Sequence, residues 1–330
     1  MAAKVLFVGG TGIISSACSP RALEHGHDLY LFNRGRSLRP SPADAVLVPG
    51  DIHANPQVLQ EVIDEHHIDV VVNWIAFHPD DVRRDIELLR GRVGQYIFIS
   101  SASAYQKPVP SLPITEATPL GNPYWEYSRN KQRCEEILME AYQREGFPVT
   151  VVRPSHTYDR TLLPFSQGYT ILRRMLAGKP VIVHGDGTSL WVLTHHRDFA
   201  RAFVELLGNP AAIGEAYHIT SDEVLTWNRI YSVVAESAGV ELRSVHIASE
   251  AISRYDADWG ASLLGDKAHS VMFDNSKIRE VASEFKAEVP FEEGVQEIVA
   301  WYEQNEGLYE ANPDFDALQD RIINDLGRPS

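Results

Sequence analysis

The feature that most constrains the fold is an apolar run that ends in a glycine-rich loop near the start of the chain. Lys4–Val8 is short and apolar, Gly-Gly-Thr-Gly begins at Gly9, and helical apolar spacing resumes after Gly12. An apolar run of this length beside glycines predicts a buried parallel strand. Strand, loop and helix N-terminus together form a cradle for an anion, because free backbone N–H groups and the helix dipole point at one spot.

Each residue of this loop has a separate expected role. Gly9 permits the tight turn, and Gly12 lets a pyrophosphate lie against bare backbone. Ser15 stands where a dinucleotide fingerprint normally has its third glycine, and its small side chain should fit with a slight outward shift. A plain tight turn is the alternative, but the flanking strand and helix favour a dinucleotide loop. The expected cofactor contacts here are Gly9, Thr11, Gly12, Ile13 and Ile14.

The end of the second expected strand, Asp28–Asn33, bears on the choice of cofactor. A carboxylate at this place binds the adenosine ribose of NAD, whereas a nearby arginine accommodates the 2′-phosphate of NADP. Asn33 ends the strand, and Arg34 and Arg36 follow without a carboxylate. The sequence therefore favours NADP over NAD. Two solvated loop charges are the alternative interpretation of the arginines.

Apolar runs that alternate with helical patterns predict a doubly wound, parallel α/β sheet of the Rossmann type. Ligands of such sheets bind at the carboxyl ends of the strands. After residue 155 the elements become shorter and more varied. We therefore expect a dinucleotide-binding domain over residues 1–155 and a smaller C-terminal substrate-binding lobe, interleaved with the sheet, over residues 156–330. Further strands are expected at residues 46–48, 69–76, 95–100, 148–153, 181–183 and 216–219.

Several residues at these strand ends are expected to contact the cofactor. Asp51 follows the third strand and either reaches the adenine amino group or caps a helix over residues 56–66. Its neighbour Ile52 is expected on the cofactor too. Ala76 and Phe77 at the end of the fourth strand should lie along the cofactor, as should Pro154 after the sixth.

The composition restricts which partner molecules and which cellular compartment we expect. A net charge of −15 argues against non-specific binding of nucleic acid. No apolar stretch approaches the ~20 residues of a membrane span, and the first expected strand begins at Lys4, so we expect neither a membrane span nor a signal peptide. Cys18 and Cys134 lie in expected helices with no metal-binding spacing, so we expect a reducing, cytoplasmic compartment and no metal.

Tyr127 and Lys131 lie four residues apart on an expected helix and so project from one face. A tyrosine with an ordinary pKa of ~10 becomes an acid–base group when an ammonium and a cationic nicotinamide stabilise its phenolate. Tyr127 would exchange a proton with a substrate oxygen, Ser101 would orient that oxygen, and Lys131 would hold the nicotinamide ribose. Ser103 is the alternative serine, more natural as a substrate contact. A Tyr-x-x-x-Lys pair also occurs by chance, but here it follows the glycine loop and a serine-rich strand end in the required order.

With these motifs the chain resembles an extended short-chain dehydrogenase/reductase of the NAD-dependent epimerase/dehydratase family. The resemblance implies a nicotinamide cofactor, a substrate lobe that often binds nucleotide sugars, and frequent dimerisation through long helices. It extends over nearly the whole chain, on residues 9–15, 50–51, 100–105, 127–131, 153–158, 185–188 and 273–278.

Two departures from the family pattern concern the substrate. His156 stands where the family usually has an asparagine that contacts the phosphates of a sugar nucleotide. Trp191 falls near the place of an arginine for the pyrophosphate, and loss of that contact costs about 1.5–3 kcal/mol. Trp191 either stacks on a sugar or base ring or belongs to the core. The expected substrate contacts are Ser103, His156 and Trp191.

These expectations describe an NAD(P)-dependent oxidoreductase or epimerase, a homodimer acting on a hydroxyl or ketone of a sugar or nucleotide-sugar-like small molecule. One alternative is a ketoreductase of a non-sugar metabolite. Another is a non-catalytic RNA-binding protein, since residues 32–35, 214–221 and 226–228 resemble a branch that includes chloroplast stem-loop RNA-binding proteins. The Tyr127/Lys131 pair and the acidic charge count against it.

Overall fold

The computed structural model describes residues 2–37, 39–308 and 311–326. The strands are β1 (Lys4–Val8), β2 (Asp28–Asn33), β3 (Val46–Pro49), β4 (Val70–Asn73), β5 (Gln95–Ile99), β6 (Val149–Pro154), β7 (His156–Tyr158), β8 (Val181–His184), β9 (Leu190–Trp191), β10 (Leu193–His195), β11 (Ala216–Ile219), β12 (Leu225–Thr226) and β13 (Ser244–Ile247). The α-helices are α1 (Ser15–Glu24), α2 (Gln57–His66), α3 (Pro79–Leu89), α4 (Glu126–Glu145), α5 (Gly168–Leu176), α6 (His196–Phe203), α7 (Trp227–Ser237), α8 (Ser249–Ile252), α9 (Ala257–Ser262), α10 (Ser276–Val281), α11 (Phe291–Gln304) and α12 (Pro313–Leu326).

Seven strands form one sheet in the order β11-β6-β5-β4-β1-β2-β3, and every neighbouring pair is parallel. The middle strands are mostly apolar and are buried at every residue but Lys4, because helices cover both faces of the sheet. The expected doubly wound α/β fold is therefore confirmed. Strand β11 comes from beyond residue 155 and extends the sheet at β6. The division of the chain at residue 155 stays a prediction.

Helices pack on the two faces of the sheet in separate apolar layers. Residues of α1 and α6 share one layer, and residues of α2, α3 and α4 share the other. A third apolar cluster fills the C-terminal lobe, where three short strand pairs (β7 with β10, β8 with β13, β9 with β12) lie among the helices. Within the described residues, none of the helices has the length and apolar character that a bilayer crossing requires.

Helix α3 was absent from the sequence expectation, although its signals are present in the sequence. Pro79 occupies its first turn, and the Asp81 carboxylate accepts hydrogen bonds from the backbone N–H groups of Phe77 and His78, both at 3.0 Å. Acidic side chains and proline are typical of a helix start. The fourth strand is also shorter than expected, since β4 ends at Asn73, before Ala76.

Candidate functional site

A cavity of about 300 Å³ opens beside the carboxyl ends of β5 and β6. Four of the expected active-site and substrate residues line it together with Ser103: Ser101, Tyr127, His156 and Trp191. Ile13 of the glycine loop and Pro154 contribute to the same wall. The fold therefore brings the expected groups of the first and second halves of the chain to one place.

Tyr127 lies in the first turn of α4, whose N-cap is Trp125. Burial raises the pKa of Tyr127 to about 12, the Ser101 side chain lowers it, and the Asp266 carboxylate raises it. The loss of water disfavours the charged phenolate more than Ser101 stabilises it. Without further positive charge, Tyr127 is therefore a neutral phenol.

Lys131 follows one turn later and is 2% exposed. Its ammonium donates hydrogen bonds to the backbone carbonyl oxygens of Ala76 and Ile99, each at 2.7 Å, and lies 4.6 Å from the centroid of the Phe77 ring. Burial lowers the pKa of Lys131 to about 8. The two carbonyls fix this cation at the ends of β4 and β5. Phe77 itself is 43% exposed at the mouth of the sheet.

Three serine hydroxyls form a chain behind Tyr127. Ser101 Oγ and Ser103 Oγ are 2.9 Å apart, and the Ser128 hydroxyl donates to Ser103 Oγ at 2.7 Å. The Ser103 backbone N–H donates to Ser101 Oγ at 3.2 Å. Ser101 is thus nearest the phenol, and Ser103 supports it from behind while also lining the cavity. Ser128, which the sequence analysis did not single out, immediately follows Tyr127.

His156 and Trp191 are joined by a hydrogen bond. The Trp191 indole N–H donates to His156 Nδ1 at 3.2 Å, so the proton of the neutral imidazole lies on Nε2. Burial lowers the pKa of His156 to about 3, and the Lys267 charge acts in the same direction. Trp191 is 3% exposed and packs on Trp227 with ring centroids 5.4 Å apart. Trp191 therefore belongs to the core and forms a cavity wall at once.

The glycine loop connects β1 to α1 with two residues in the left-handed region, Gly9 at φ +105° and Gly10 at φ +85°. A Cβ on Gly10 would lie 2.7 Å from Leu31 Cδ2, so a side chain is excluded there by space as well as by conformation. Gly12 is exposed, which leaves bare backbone at the mouth of the loop. These observations fit a loop that holds a dinucleotide pyrophosphate.

One detail of the loop corrects the expectation of freely available N–H groups. The Gly12 backbone N–H donates to Ser15 Oγ at 2.8 Å. Ser15 is buried, so its side chain turns inward to the loop. The hydroxyl that replaces the third glycine thus satisfies one amide of the cradle. Two further loop residues with expected cofactor contacts, Thr11 and Ile14, are partly exposed.

Asn33, the last residue of β2, forms a hydrogen bond to the glycine loop. Its amide donates to the Gly9 carbonyl oxygen at 3.3 Å, and its side-chain oxygen accepts from the Gly35 N–H at 2.8 Å. Arg34 and Arg36 are both exposed. The Arg34 guanidinium lies 4.0 Å from the Asp51 carboxylate, a distance that leaves it open to another anion.

Asp51 does not cap the helix expected over residues 56–66. Helix α2 begins at Gln57 with Pro56 as its N-cap, and the Asp51 carboxylate accepts instead from the His53 N–H at 3.0 Å. The carboxylate thus closes a local turn, because the chain makes a separate bend before the helix. Ile52, beside it, is buried at 2% exposure.

Two sets of charged residues near the site were missed by the sequence analysis. Arg39 donates to the Asp159 carboxylate at 3.2 Å and ties the segment after β2 to the segment after β7. Asp266 and Lys267, from the C-terminal lobe, line the cavity. Neither placement has a local sequence signal, since each depends on how distant segments meet. In the described part of the chain, no group of three or more His, Cys, Asp or Glu side chains is arranged to hold a metal ion.

Comparison with known proteins gives relatives at low sequence identity. The chloroplast stem-loop binding protein of 41 kDa b from Arabidopsis thaliana is 28% identical over 251 residues, which span 72% of this chain and 63% of that protein. The 2'-dehydrokanamycin reductase of Streptomyces kanamyceticus is 26% identical over 271 residues, or 80% of this chain and 72% of the reductase. The chain thus spans less than two thirds of the length of the chloroplast relative.

Solved structures share the fold over almost the whole chain. A dTDP-glucose 4,6-dehydratase from Bacillus anthracis in complex with NAD superposes with a TM-score of 0.74 at 22% identity, covering 93% of this chain and 99% of that one. A UDP-glucuronic acid 4-epimerase from Bacillus cereus in complex with UDP-glucuronic acid and NAD gives 0.73 at 18% identity, covering 91% and 99%. The family model of NAD dependent epimerases and dehydratases matches residues 5–220, from β1 through β11. The chain therefore belongs to the NAD dependent epimerase/dehydratase family, as the order of its motifs implied.

Proposed function

We propose that this protein is an NAD(P)-dependent oxidoreductase or epimerase that acts on a hydroxyl or ketone of a sugar or nucleotide-sugar-like substrate. The observation that carries the proposal is the placement of three groups at one cavity. Tyr127 and Ser101 line it, and the Lys131 ammonium is fixed at the adjoining strand ends. Sheets of this kind bind their ligands at this edge.

The cofactor would be held along the ends of β1, β2 and β4. The pyrophosphate would lie against the exposed backbone of Gly12, whose own N–H is bonded to Ser15, and Arg34 would approach the adenosine ribose or its 2′-phosphate. A bound nicotinamide supplies the hydride acceptor or donor. The exposed Arg34 and Arg36 and the absence of a carboxylate at Asn33 support NADP as the preferred form. The remaining contacts in this proposal are Gly9, Thr11, Ile13, Ile14, Asp51, Ile52, Ala76, Phe77, Tyr127, Lys131 and Pro154.

Tyr127 would move the proton. When a ketone is reduced, the phenol donates its proton to the carbonyl oxygen as that oxygen becomes a hydroxyl. In the reverse direction, the phenolate removes the hydroxyl proton, and Lys131 supplies positive charge nearby. Ser101 would hold the reacting oxygen in line. The raised pKa of Tyr127, about 12, supports the neutral phenol as the form present before a reduction.

A sugar-like substrate is supported by the relatives. The similar proteins include a 2'-dehydrokanamycin reductase and a dTDP-glucose 4,6-dehydratase of Actinoplanes. His156 and Trp191, joined in the cavity wall, would face this substrate. A homodimer in the cytoplasm completes the proposal, on the resemblance to extended short-chain dehydrogenases and on the free cysteines Cys18 and Cys134.

Calorimetric titration with NADP⁺ and NAD⁺, with native mass spectrometry of the purified protein, tests this function. We expect one dinucleotide per chain, tighter binding of NADP⁺, and a dimeric mass. A protein that binds neither dinucleotide would contradict the proposal.

RNA binding is the second candidate, because the chain is 28% identical to a chloroplast stem-loop binding protein. Salt-sensitive binding of a structured RNA without binding of either dinucleotide would favour it.

A further inference from the structure

A π-helical turn of the C-terminal lobe, Leu263–Lys267, carries two charged side chains to the cavity of Tyr127. Asp266 and Lys267 lie at the end of this turn and have no role in the proton transfer described above. Short π-helical segments are uncommon and often occur at functional sites. The charges of Asp266 and Lys267 therefore bear on which ligand the cavity binds.

The backbone of Lys267 is held firmly. Its carbonyl oxygen receives three side-chain hydrogen bonds, from His184 Nε2 at 3.0 Å, Ser189 Oγ at 3.1 Å and Trp227 Nε1 at 3.1 Å. All three donors come from the lobe, on or beside β8, β9 and α7. The base of the Lys267 side chain is thus fixed before any ligand binds, and such preorganisation strengthens a binding contact.

The turn also packs directly on the start of α4. The Asn122 amide donates to the Gly265 carbonyl oxygen at 2.6 Å, and a Cβ on Gly265 would lie 2.6 Å from Trp125 Cβ. Glycine is required there because any side chain would push the turn away from the helix. The turn with Lys267 and the helix with Tyr127 therefore keep a fixed relation to each other.

The charges around the turn do not cancel. Asp266 pairs with the buried Lys107 at 3.5 Å, and no carboxylate in the described ranges lies within 4.0 Å of the Lys267 ammonium. That ammonium lies 5.6 Å from the centroid of the Trp125 ring. Burial lowers the pKa of Lys267, as does the nearby Lys107 charge, whereas the Asp266 carboxylate raises it. Burial also keeps His156 neutral on another wall of the cavity. The ammonium groups of Lys107 and Lys267 and the carboxylate of Asp266 together leave one net positive charge at this turn.

We propose that Lys267 binds the carboxylate of the substrate, and that this substrate is a sugar acid with one negative charge. The inference rests on the proposed function, since it names the substrate class of the same cavity. The Lys267 ammonium shares the single Asp266 carboxylate with Lys107, and a buried charge that is not fully paired is costly, so a ligand oxyanion removes that cost. One carboxylate balances the net charge, whereas a diphosphate would place a second negative charge near Asp266. A cavity of about 300 Å³ is at the small end of ligand pockets and is large enough for a monosaccharide.

Binding measurements test this assignment without relying on turnover. D-Glucuronate, D-glucose, glucose 6-phosphate and UDP-glucose are titrated by calorimetry into the protein saturated with the reduced cofactor, which cannot oxidise a hydroxyl. The variants are Lys267→Gln, Lys267→Arg and, as a matched control, Lys286→Gln at an exposed position. Cofactor affinity and thermal midpoint are measured for each variant.

We expect wild type to bind D-glucuronate more tightly than the three other ligands. Lys267→Gln should weaken D-glucuronate binding by about tenfold or more, the usual loss for a charge-assisted hydrogen bond. Lys267→Arg should retain part of the affinity, and Lys286→Gln all of it. The inference is overturned if Lys267→Gln binds D-glucuronate as wild type does, or if D-glucose, glucose 6-phosphate or UDP-glucose binds as tightly. If the cofactor still binds when the inference fails, the proposed function stands. If the wild-type protein binds no cofactor, the proposed function itself is contradicted.

Discussion

The Lys131 ammonium lies 5.8 Å from the centroid of the Tyr127 ring, one turn further along α4, and its hydrogen bonds go to backbone carbonyls. The ammonium is therefore fixed by the backbone and not by the Tyr127 hydroxyl. Burial and Ser101 dominate the proton affinity of Tyr127 in the free protein. In the proposed mechanism, the further stabilisation of the phenolate accordingly depends on positive charge brought by the oxidised cofactor.

Tyr127→Phe should lower kcat by at least ~100-fold, the usual contribution of a positioned acid–base group. Cofactor affinity should stay nearly unchanged, because the ring remains and only the hydroxyl is lost. Steady-state kinetics and calorimetry measure the two quantities. A variant that keeps more than about a tenth of wild-type kcat would refute the acid–base role.

Lys131→Met should change how stability depends on pH. The lysine has a pKa of about 8 in the folded protein against 10.5 for the ordinary group, so the unfolded chain binds more protons between these values. The free energy of unfolding of wild type should therefore rise relative to the variant from pH 8 to pH 10.5, by about 3 kcal/mol in total. Urea unfolding of both proteins at a series of pH values measures this difference in the free energy of unfolding. A constant difference between the two proteins would show that this lysine titrates normally.

Ser101→Ala should reduce kcat more than Ser103→Ala does. Ser101 affects the phenol directly, whereas Ser103 acts through its hydrogen bonds to Ser101 and Ser128. Rates of both single variants and of the double variant separate the roles, because coupled residues give non-additive losses. The reverse order of losses would assign the orienting role to Ser103.

Arg34→Ala should weaken NADP⁺ binding far more than NAD⁺ binding, since only NADP⁺ carries the 2′-phosphate. Arg144→Ala, at an exposed position on α4, is the matched control for loss of one positive charge. Calorimetric titration with both dinucleotides measures the loss of affinity for each of them. Equal losses for the two cofactors would make Arg34 a solvated loop charge.

Much of the fold was predictable because its signals are local. Uninterrupted apolar runs gave β1 and β5, and the family followed from the order of the motifs. Helix α3 was missed although its proline and its acidic first turn were present. The shorter β4 was not predictable, since the residues after Asn73 are apolar but leave the sheet.

The site was predictable in part for the same reason. Tyr127 and Lys131 share one helix face, so their spacing alone places them together. The inward turn of Ser15 toward Gly12 depends on the shape of the loop. Lys267 reaches the cavity only through the packing of the lobe on α4, which no local pattern of residues reveals.

Strand β11 has a consequence for how the protein is made. Ala216–Ile219 pairs with β6, whose own residues end at Pro154. While the ribosome is still producing the intervening segment, the nascent sheet carries an unpaired edge, and such edges invite association with other chains. A fragment cut after residue 155 would keep that edge permanently, so expression of the first half alone should yield aggregate.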